Sequence, residues 1–185
     1  MNGSITDEAL FAKAIKGDRK AFEGIYDRYS GRLYNYFLKM LNRNAELAKD
    51  QTQELFLKLL EKGQRFDEKR VFKTWVFSIA NNMCKNIYRK NEVKRRADKE
   101  LKLVQSMVDE ASRFSMDEEI FKSALKKELE NFDVERRSIF ILRFKQQFTV
   151  KEIAEITGIA EGTVKSKIFY SLKKLQGALI KYNPK

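Results

Sequence analysis

The side chains in this 185-residue chain that could do chemistry are hydroxyls, amides and cations rather than nucleophiles or metal ligands. It has no His, and Cys84 is its only Cys. Zinc sites built on Cys and His, Ser-His or Cys-His nucleophile pairs and disulfides are thereby excluded. No compact acidic cluster suggests a magnesium site, so no cofactor is expected. Cys84 lies among Ile79, Ala80, Met83 and Ile87 at helical spacing and reads as a small buried hydrophobe. What remains is binding chemistry, and three segments concentrate it.

The first is TVKEIAEITGIAEGTVKSKI, residues 149–168. Thr149 and Glu152 form a T-x-x-E capping box that opens a short helix with Val150, Ile153, Ala154 and Ile156 inward. Gly158 sits where a tight turn needs a residue tolerant of positive φ. The next helix starts near Glu161 and is expected to bury Val164, Ile168 and Leu172. Thr163, Lys165, Ser166, Lys167 and Tyr170 are then left facing out. Short polar and cationic groups at the start of a second helix suit a DNA major groove, so the pattern reads as a helix-turn-helix. Glu161 would meet a base rather than a phosphate, and Ala160 is a poor N-cap. A helical hairpin that merely packs does not explain this clustering on one exposed face.

The second segment is RFDEKRVFKTWVFSIANNMCKNIYRK, residues 65–90. It interleaves Phe66, Phe72, Trp75 and Phe77 with Arg65, Lys69, Arg70, Lys73, Lys85, Arg89 and Lys90. Rings can stack on bases while cations meet phosphates, which suits single-stranded or melted DNA. Phe72 and Trp75 also lie on a buried stripe, so they serve either as core or as stacking platforms. Phe66 and Phe77 are expected to be freer, as are Asn81 and Asn82, whose amides can pair with base edges. The third segment, AKDQTQELFLKLL, places Asp50, Gln53 and Glu54 on the outer side of a helix with Phe56 nearby. Taken alone this is a solvated face. Within a basic chain, a protein partner with basic residues fits it better than DNA does.

These segments need rigid elements to hold them. One Pro and eight Gly leave long helices unobstructed, and the apolar spacing is helical throughout, so the fold class is all-α. Residues 6–92 make one helix bundle: Thr6 and Asp18 cap its first two helices, a third runs from about Ala45 to Lys62 with Ala48, Thr52, Leu55, Phe56 and Leu59 inward, and a fourth carries Phe72, Trp75, Val76, Ile79, Ala80, Met83 and Ile87 inward. Residues 93–118 mix charges with few large apolar groups and read as a linker. A second helical unit spans 119–182, with Asp133 capping a helix that carries Ile139, Phe140, Leu142 and Phe144. On this view the two small domains are free to reorient in the isolated chain.

The net charge of +12 is uneven. Residues 1–96 carry 21 Lys/Arg against 12 Asp/Glu, 97–123 carry 4 against 7, and 124–185 carry 13 against 7. Two basic blocks flank an acidic one, as two polyanion-binding surfaces joined by a segment that avoids the polyanion would be. No apolar run reaches a membrane span and no signal peptide opens the chain, so the expected location is the cytoplasm.

The order AKDQTQELFLKLL, FDEKRVFKTWVFSIANN, FDVERRSIFILRF and TVKEIAEITGIAEGTVKSKIFYSLKKL resembles a bacterial RNA polymerase sigma factor of the sigma-70 family. It is most similar to the small extracytoplasmic-function group, which keeps only two sigma domains. Four motifs in order make the resemblance specific, and it covers almost all of the chain outside the linker. It departs at Phe132 and Val134, where Leu and Pro are common, at Ala160, where Pro or Ser is usual, and at Lys167. There the usual Arg is lost, and with it bidentate geometry toward a base.

The resemblance implies a sigma factor, not an enzyme. It would bind core polymerase, direct it to specific promoters and assist melting, in response to an envelope or environmental signal. Asp50, Gln53, Glu54 and Phe56 would meet the beta-prime clamp helices. The loop from Gln64 to Phe72 would capture a flipped minus-ten base, with Arg65, Phe66, Lys69, Phe72, Lys73, Trp75, Asn81, Asn82, Lys85 and Arg89 forming that surface. Glu161, Thr163, Lys165, Ser166, Lys167 and Tyr170 would read the minus-thirty-five duplex, and Ile139 and Phe140 would hold the beta flap. The acidic linker would thread near the RNA exit channel. An anti-sigma protein, often membrane-anchored in this group, is the further partner implied. Two rivals stay open on residues alone: a stand-alone helix-turn-helix regulator on a palindrome, and a helical adaptor for RNA or acidic proteins.

Overall fold

A computed structural model of the chain describes residues 5–67, 70–98, 125, 127–129 and 131–180, and among these every regular element is helical. Helix α1 (Asp7–Ala14) is capped by Thr6, whose hydroxyl accepts from the Ala9 N–H at 3.3 Å. Helix α2 (Arg19–Met40) is capped by Asp18, and α3 (Ala45–Lys62) by Asn44. A 3₁₀ turn (Gly63–Arg65) leads to α4 (Phe72–Asp98). Glu8 reaches across from α1 to accept the Phe72 N–H at 2.8 Å, satisfying one of the orphan donors at the start of α4. Then come α5 (Val134–Phe144), α6 (Val150–Thr157) and α7 (Glu161–Leu179). Helix α4 runs to Asp98, so it takes in residues 93–98, which the spacing assigns to the linker. The rest of that linker, 99–118, lies outside the described residues.

The four N-terminal helices enclose Phe11, Ile25, Leu33, Tyr36, Phe37, Leu55, Leu59, Phe72 and Phe77, each fully buried. Cys84 is buried with them, and burial pushes its thiol up to about 12, so at neutral pH it is the small hydrophobe expected. Gly63 permits the close approach of the 3₁₀ turn to α1: a Cβ built there would lie 2.2 Å from Ile15 Cγ2 and 3.2 Å from the Phe11 ring. Gly63→Ala is therefore expected to destabilise the fold by about 2 kcal/mol, a fall of roughly 4–8 °C in Tm for a chain of this size, readable by thermal unfolding.

The expectation of two freely reorienting units is corrected by the packing. Ile139, Ile141, Leu142, Phe148, Ile153, Ile156 and Val164 of the C-terminal half join the same core as Phe77 and Tyr36. The Phe77 and Phe148 rings meet edge to face at 4.9 Å across the seam between the halves. Buried polar groups lock the register there. Ser138 Oγ on α5 donates to Asn81 Oδ1 on α4 at 2.8 Å and lies 2.9 Å from the Tyr36 hydroxyl on α2. Arg137, also buried, donates through Nη1 to Asn42 Oδ1 and to the Tyr88 hydroxyl, both at 2.6 Å, and through Nε to the Leu129 carbonyl at 3.2 Å. Asn42 adopts the left-handed conformation (φ 53°) just past the end of α2, which Asn tolerates well. A satisfied guanidinium at the seam holds these elements in one arrangement, because sliding them would strand a buried charge. A smaller second cluster, Phe132, Phe140 and Leu175, closes the far end of the C-terminal half.

Candidate functional site

Helices α6 and α7 form a helix-turn-helix. The Thr149 hydroxyl accepts from the Glu152 N–H at 3.2 Å, and Glu152 Oε2 accepts from the Thr149 N–H at 2.7 Å, so the capping box is complete. Burial works to raise the Glu152 carboxyl, but the Thr149 hydrogen bonds and the Lys73 ammonium outweigh it and hold the group below its usual range. Gly158 takes φ 72°, and its N–H returns to the Ala154 carbonyl at 2.9 Å. Ala160 makes no side-chain cap, as its type implies.

On α7, Glu161, Thr163, Lys165, Ser166 and Tyr170 are exposed, and Val164 is fully buried. Lys167 is half-buried and pairs with Glu135 of α5 at 2.8 Å. Leu172 is a correction: it is 45 % exposed, and Ser171 and Leu175 are buried instead. Steps of four residues overshoot a helical turn by about 40° each, so two in a row carry a side chain off the buried face; the steps 164–168–171–175 stay on it.

The aromatic–basic segment is arranged differently from the expectation. Phe66 and Phe77 are not free: they are 8 % and 0 % exposed. Phe66 packs in a ring cluster with Phe11, Phe72 and Trp75, its centroid 4.8 Å from that of Trp75. Phe72 is fully buried in the core, whereas Trp75 is half-buried and packs against that core from its edge. Asn81 is also fully buried, held by Ser138, and its amide N–H₂ has no acceptor among the described residues. Asn82 and Arg89 are exposed. Lys73 and Lys85 are half-buried because α6 lies over them: Lys73 Nζ is 3.5 Å from Glu152 and 4.2 Å from the Phe148 ring centroid, and Lys85 Nζ donates to the Thr157 carbonyl at 3.4 Å. Arg70 and the buried Thr74 both reach Glu155. The Arg65 side chain and Lys69 lie outside the described residues.

On α3, Asp50, Gln53 and Glu54 share an exposed face. Glu54 pairs with Lys58, whose hydrogen bond is the main reason its carboxyl sits below the usual range, and it accepts from Gln51 at 3.1 Å. Phe56 lies on the inward stripe, as its spacing predicts: it is 4 % exposed and packs against Tyr26 and Phe22, so it offers no surface to a partner in this conformation. Sequence reasoning missed Leu57 and Leu60, which are 61 % and 43 % exposed and continue the Gln53 face at helical spacing. Apolar residues on the outer side of a polar helix were the available signal. Ile139 and Phe140 are buried, so neither offers a surface in this conformation.

Two family models fit this arrangement: Sigma-70 region 2 over residues 25–93 and Sigma-70 region 4 over residues 123–175. Their order along one helical chain, the second falling on the helix-turn-helix, defines the class: the chain belongs to the sigma-70 family of RNA polymerase sigma factors. Its similar curated relatives include sigma factors of the extracytoplasmic-function group. It is 26 % identical to the extracytoplasmic-function sigma factor SigW of Bacillus subtilis, over 93 % of this chain and 98 % of that one. It is 24 % identical to the sigma-E factor of Haemophilus influenzae, over 97 % and 98 %. The fold is similar to that of RpoE of Bartonella quintana, solved with the anti-sigma factor NepR, with a TM-score of 0.71, 23 % identity, and coverage of 86 % of this chain and 97 % of that one. It is also similar to CnrH, solved with the cytosolic domain of CnrY, with a TM-score of 0.69, 20 % identity, and coverage of 96 % and 99 %. Among the described residues no helix is long and apolar enough to cross a membrane.

Proposed function

We propose that the chain joins core RNA polymerase, directs it to specific promoters and assists their melting, and that it contributes binding energy while the polymerase performs the chemistry. The observation that carries this is the pair of sigma-70 regions in order on one chain, with the exposed polar face of α7 at its end. The unit at residues 6–92 binds the clamp and the minus-ten strand, and the unit at 119–182 binds the minus-thirty-five duplex. Thr163, Lys165 and Ser166 are open to a major groove as they stand, while Lys167 must release Glu135 to join them. On the minus-ten side, Asn82 and Arg89 are open, whereas Lys73, Lys85 and Asn81 are covered from the C-terminal half.

The packed chain is then a closed form, and the minus-ten surface is completed when the halves separate on the polymerase. Opening frees the unpartnered Asn81 amide to meet a base edge, which offsets part of the loss of the seam. Holding an unstacked base compensates melting by on the order of a few kcal/mol. An anti-sigma protein that favours the closed form would restrain the chain, so regulation by an external signal follows from the same equilibrium.

Run-off transcription from genomic fragments with purified core tests the reading. The expected result is promoter-specific transcript only when both chain and core are present, lost by at least tenfold in a Thr163→Ala/Lys165→Ala variant. No stimulation on any fragment, or tight operator binding without polymerase, would sink it.

A further inference from the structure

A cleft of about 600 Å³ opens on the seam between the halves, lined by Arg32, Asn35 and Lys39 of α2, Lys73 of α4, and Lys145, Gln146 and Gln147 of the α5–α6 loop. Among the described residues every lining side chain is polar, four are cationic and none is acidic. Glu152 neutralises only Lys73, at 3.5 Å. Among the described residues neither Lys39 nor Lys145 has a carboxylate within ion-pair distance. The Lys39 ammonium is held below the usual lysine range, first by burial and then by Lys145 and Arg43, as expected where cations are gathered without counter-charge.

The cleft is also built rather than incidental. Gln146 is buried, its amide donates to the Arg32 carbonyl at 3.3 Å, and the Arg32 guanidinium returns to the Gln146 carbonyl at 3.4 Å. The Arg32 guanidinium is further fixed over the Phe77 ring at 5.5 Å. Gln147 holds a left-handed backbone (φ 60°), a conformation that costs free energy in a non-glycine residue and persists where its surroundings impose it.

We propose that this cleft binds an oligophosphate, a chain of two or more phosphates either free or carried by a nucleoside, and that the bound anion ties the two halves together. Its volume is that of a small-molecule site. A compact group of several charges satisfies convergent cations, whereas a nucleic-acid strand spreads its phosphates along a groove. Because the cations come from both halves, occupancy stabilises the packed arrangement over any separated one. On the sigma-factor reading this would hold the closed form, but the binding itself does not rest on that reading.

Calorimetric titration of the full chain with inorganic tripolyphosphate, and separately with GTP, tests the proposal. The expected result is one equivalent bound, with Kd weakened at least tenfold in Lys39→Gln/Lys145→Gln. Lys16→Gln/Lys20→Gln removes the same charge from exposed positions and should leave Kd within twofold. Equal affinity for the two probes identifies the phosphate chain as the recognised group; tighter GTP binding assigns a nucleoside polyphosphate. Lys145→Gln alone, at an exposed loop position, repeats the test with a minimal change to the fold, and a loss of at least threefold is expected. Saturation should slow amide exchange in both α4 and α6, and unchanged exchange would overturn the bridging. Equal losses in the two double variants, or no loss in Lys39→Gln/Lys145→Gln, would overturn the site. Displacement of tripolyphosphate by a single-stranded oligonucleotide at lower phosphate concentration would reassign the cleft to nucleic acid.

Discussion

Asp50→Lys is expected to cut retention of the chain on core RNA polymerase by at least a hundredfold while leaving its circular dichroism unchanged. Asp50 is exposed on α3 and makes no ion pair among the described residues, so reversal leaves the fold's own contacts intact. Opposite a basic partner, the change replaces attraction by like-charge repulsion, and a buried charge contact at an interface is worth about 2–5 kcal/mol. Glu54→Lys is a less clean probe, because it also breaks the pair with Lys58 and sets two cations one turn apart, at a local cost of about 0.3–0.5 kcal/mol. Leu57→Ser supplies the apolar arm. Leu57 is 61 % exposed, so its loss should weaken retention without weakening the fold. A co-purification assay with purified core decides the matter. Undiminished retention of Asp50→Lys would mean that the face meets something else.

The second large effect is expected at the seam. Arg137→Ala removes the donor to Asn42, to the Tyr88 hydroxyl, to the Leu129 carbonyl and, at 3.4 Å, to the Met40 carbonyl, and empties the space its side chain fills at the seam. Bonds to a charged group contribute about 1.5–3 kcal/mol each, and they are not additive, so a loss of about 3 kcal/mol is reasonable for the seam. Phe77, Phe148 and Ser138 remain, so the halves keep their own cores while their mutual hold is weakened. The expected readouts are a larger radius of gyration by small-angle scattering and a denaturant transition that separates into two steps. One unchanged cooperative transition, with the radius of the parent chain, would show that the apolar contacts alone hold the halves together. Ser138→Ala makes a milder companion, with an expected loss of about 1 kcal/mol.

These two outcomes draw on different levels of the protein. The acidic outer face of α3, the capping box at Thr149, the left-handed Gly158 and the exposed Thr163, Lys165 and Ser166 are all legible in the chain, because each is a matter of residue type at helical spacing. A cap needs a side chain three residues from an N–H, and an amphipathic helix must turn its polar side to water whatever lies beneath it. The sigma-70 resemblance rests on the same local patterns in order. Periodicity shows which side of a helix is buried but not what buries it. The expected exposure of Phe66, Phe77 and Asn81 fails for that reason: each sits where a second element, distant in sequence, comes down on it. Leu57 and Leu60 are the converse case, apolar residues left exposed by the described residues of this chain.

By itself, then, the sequence determined an all-helical chain with a helix-turn-helix at one end and an acidic-faced helix near the other. Only the tertiary structure decided that the two halves close on a shared core. It was also the tertiary structure that brought Arg32, Lys39, Lys73 and Lys145 to one cleft, although more than a hundred residues separate the first from the last. The physical reason is range: caps and stripes are set within a few turns of helix, whereas a seam depends on which buried surfaces meet once every local choice has been made.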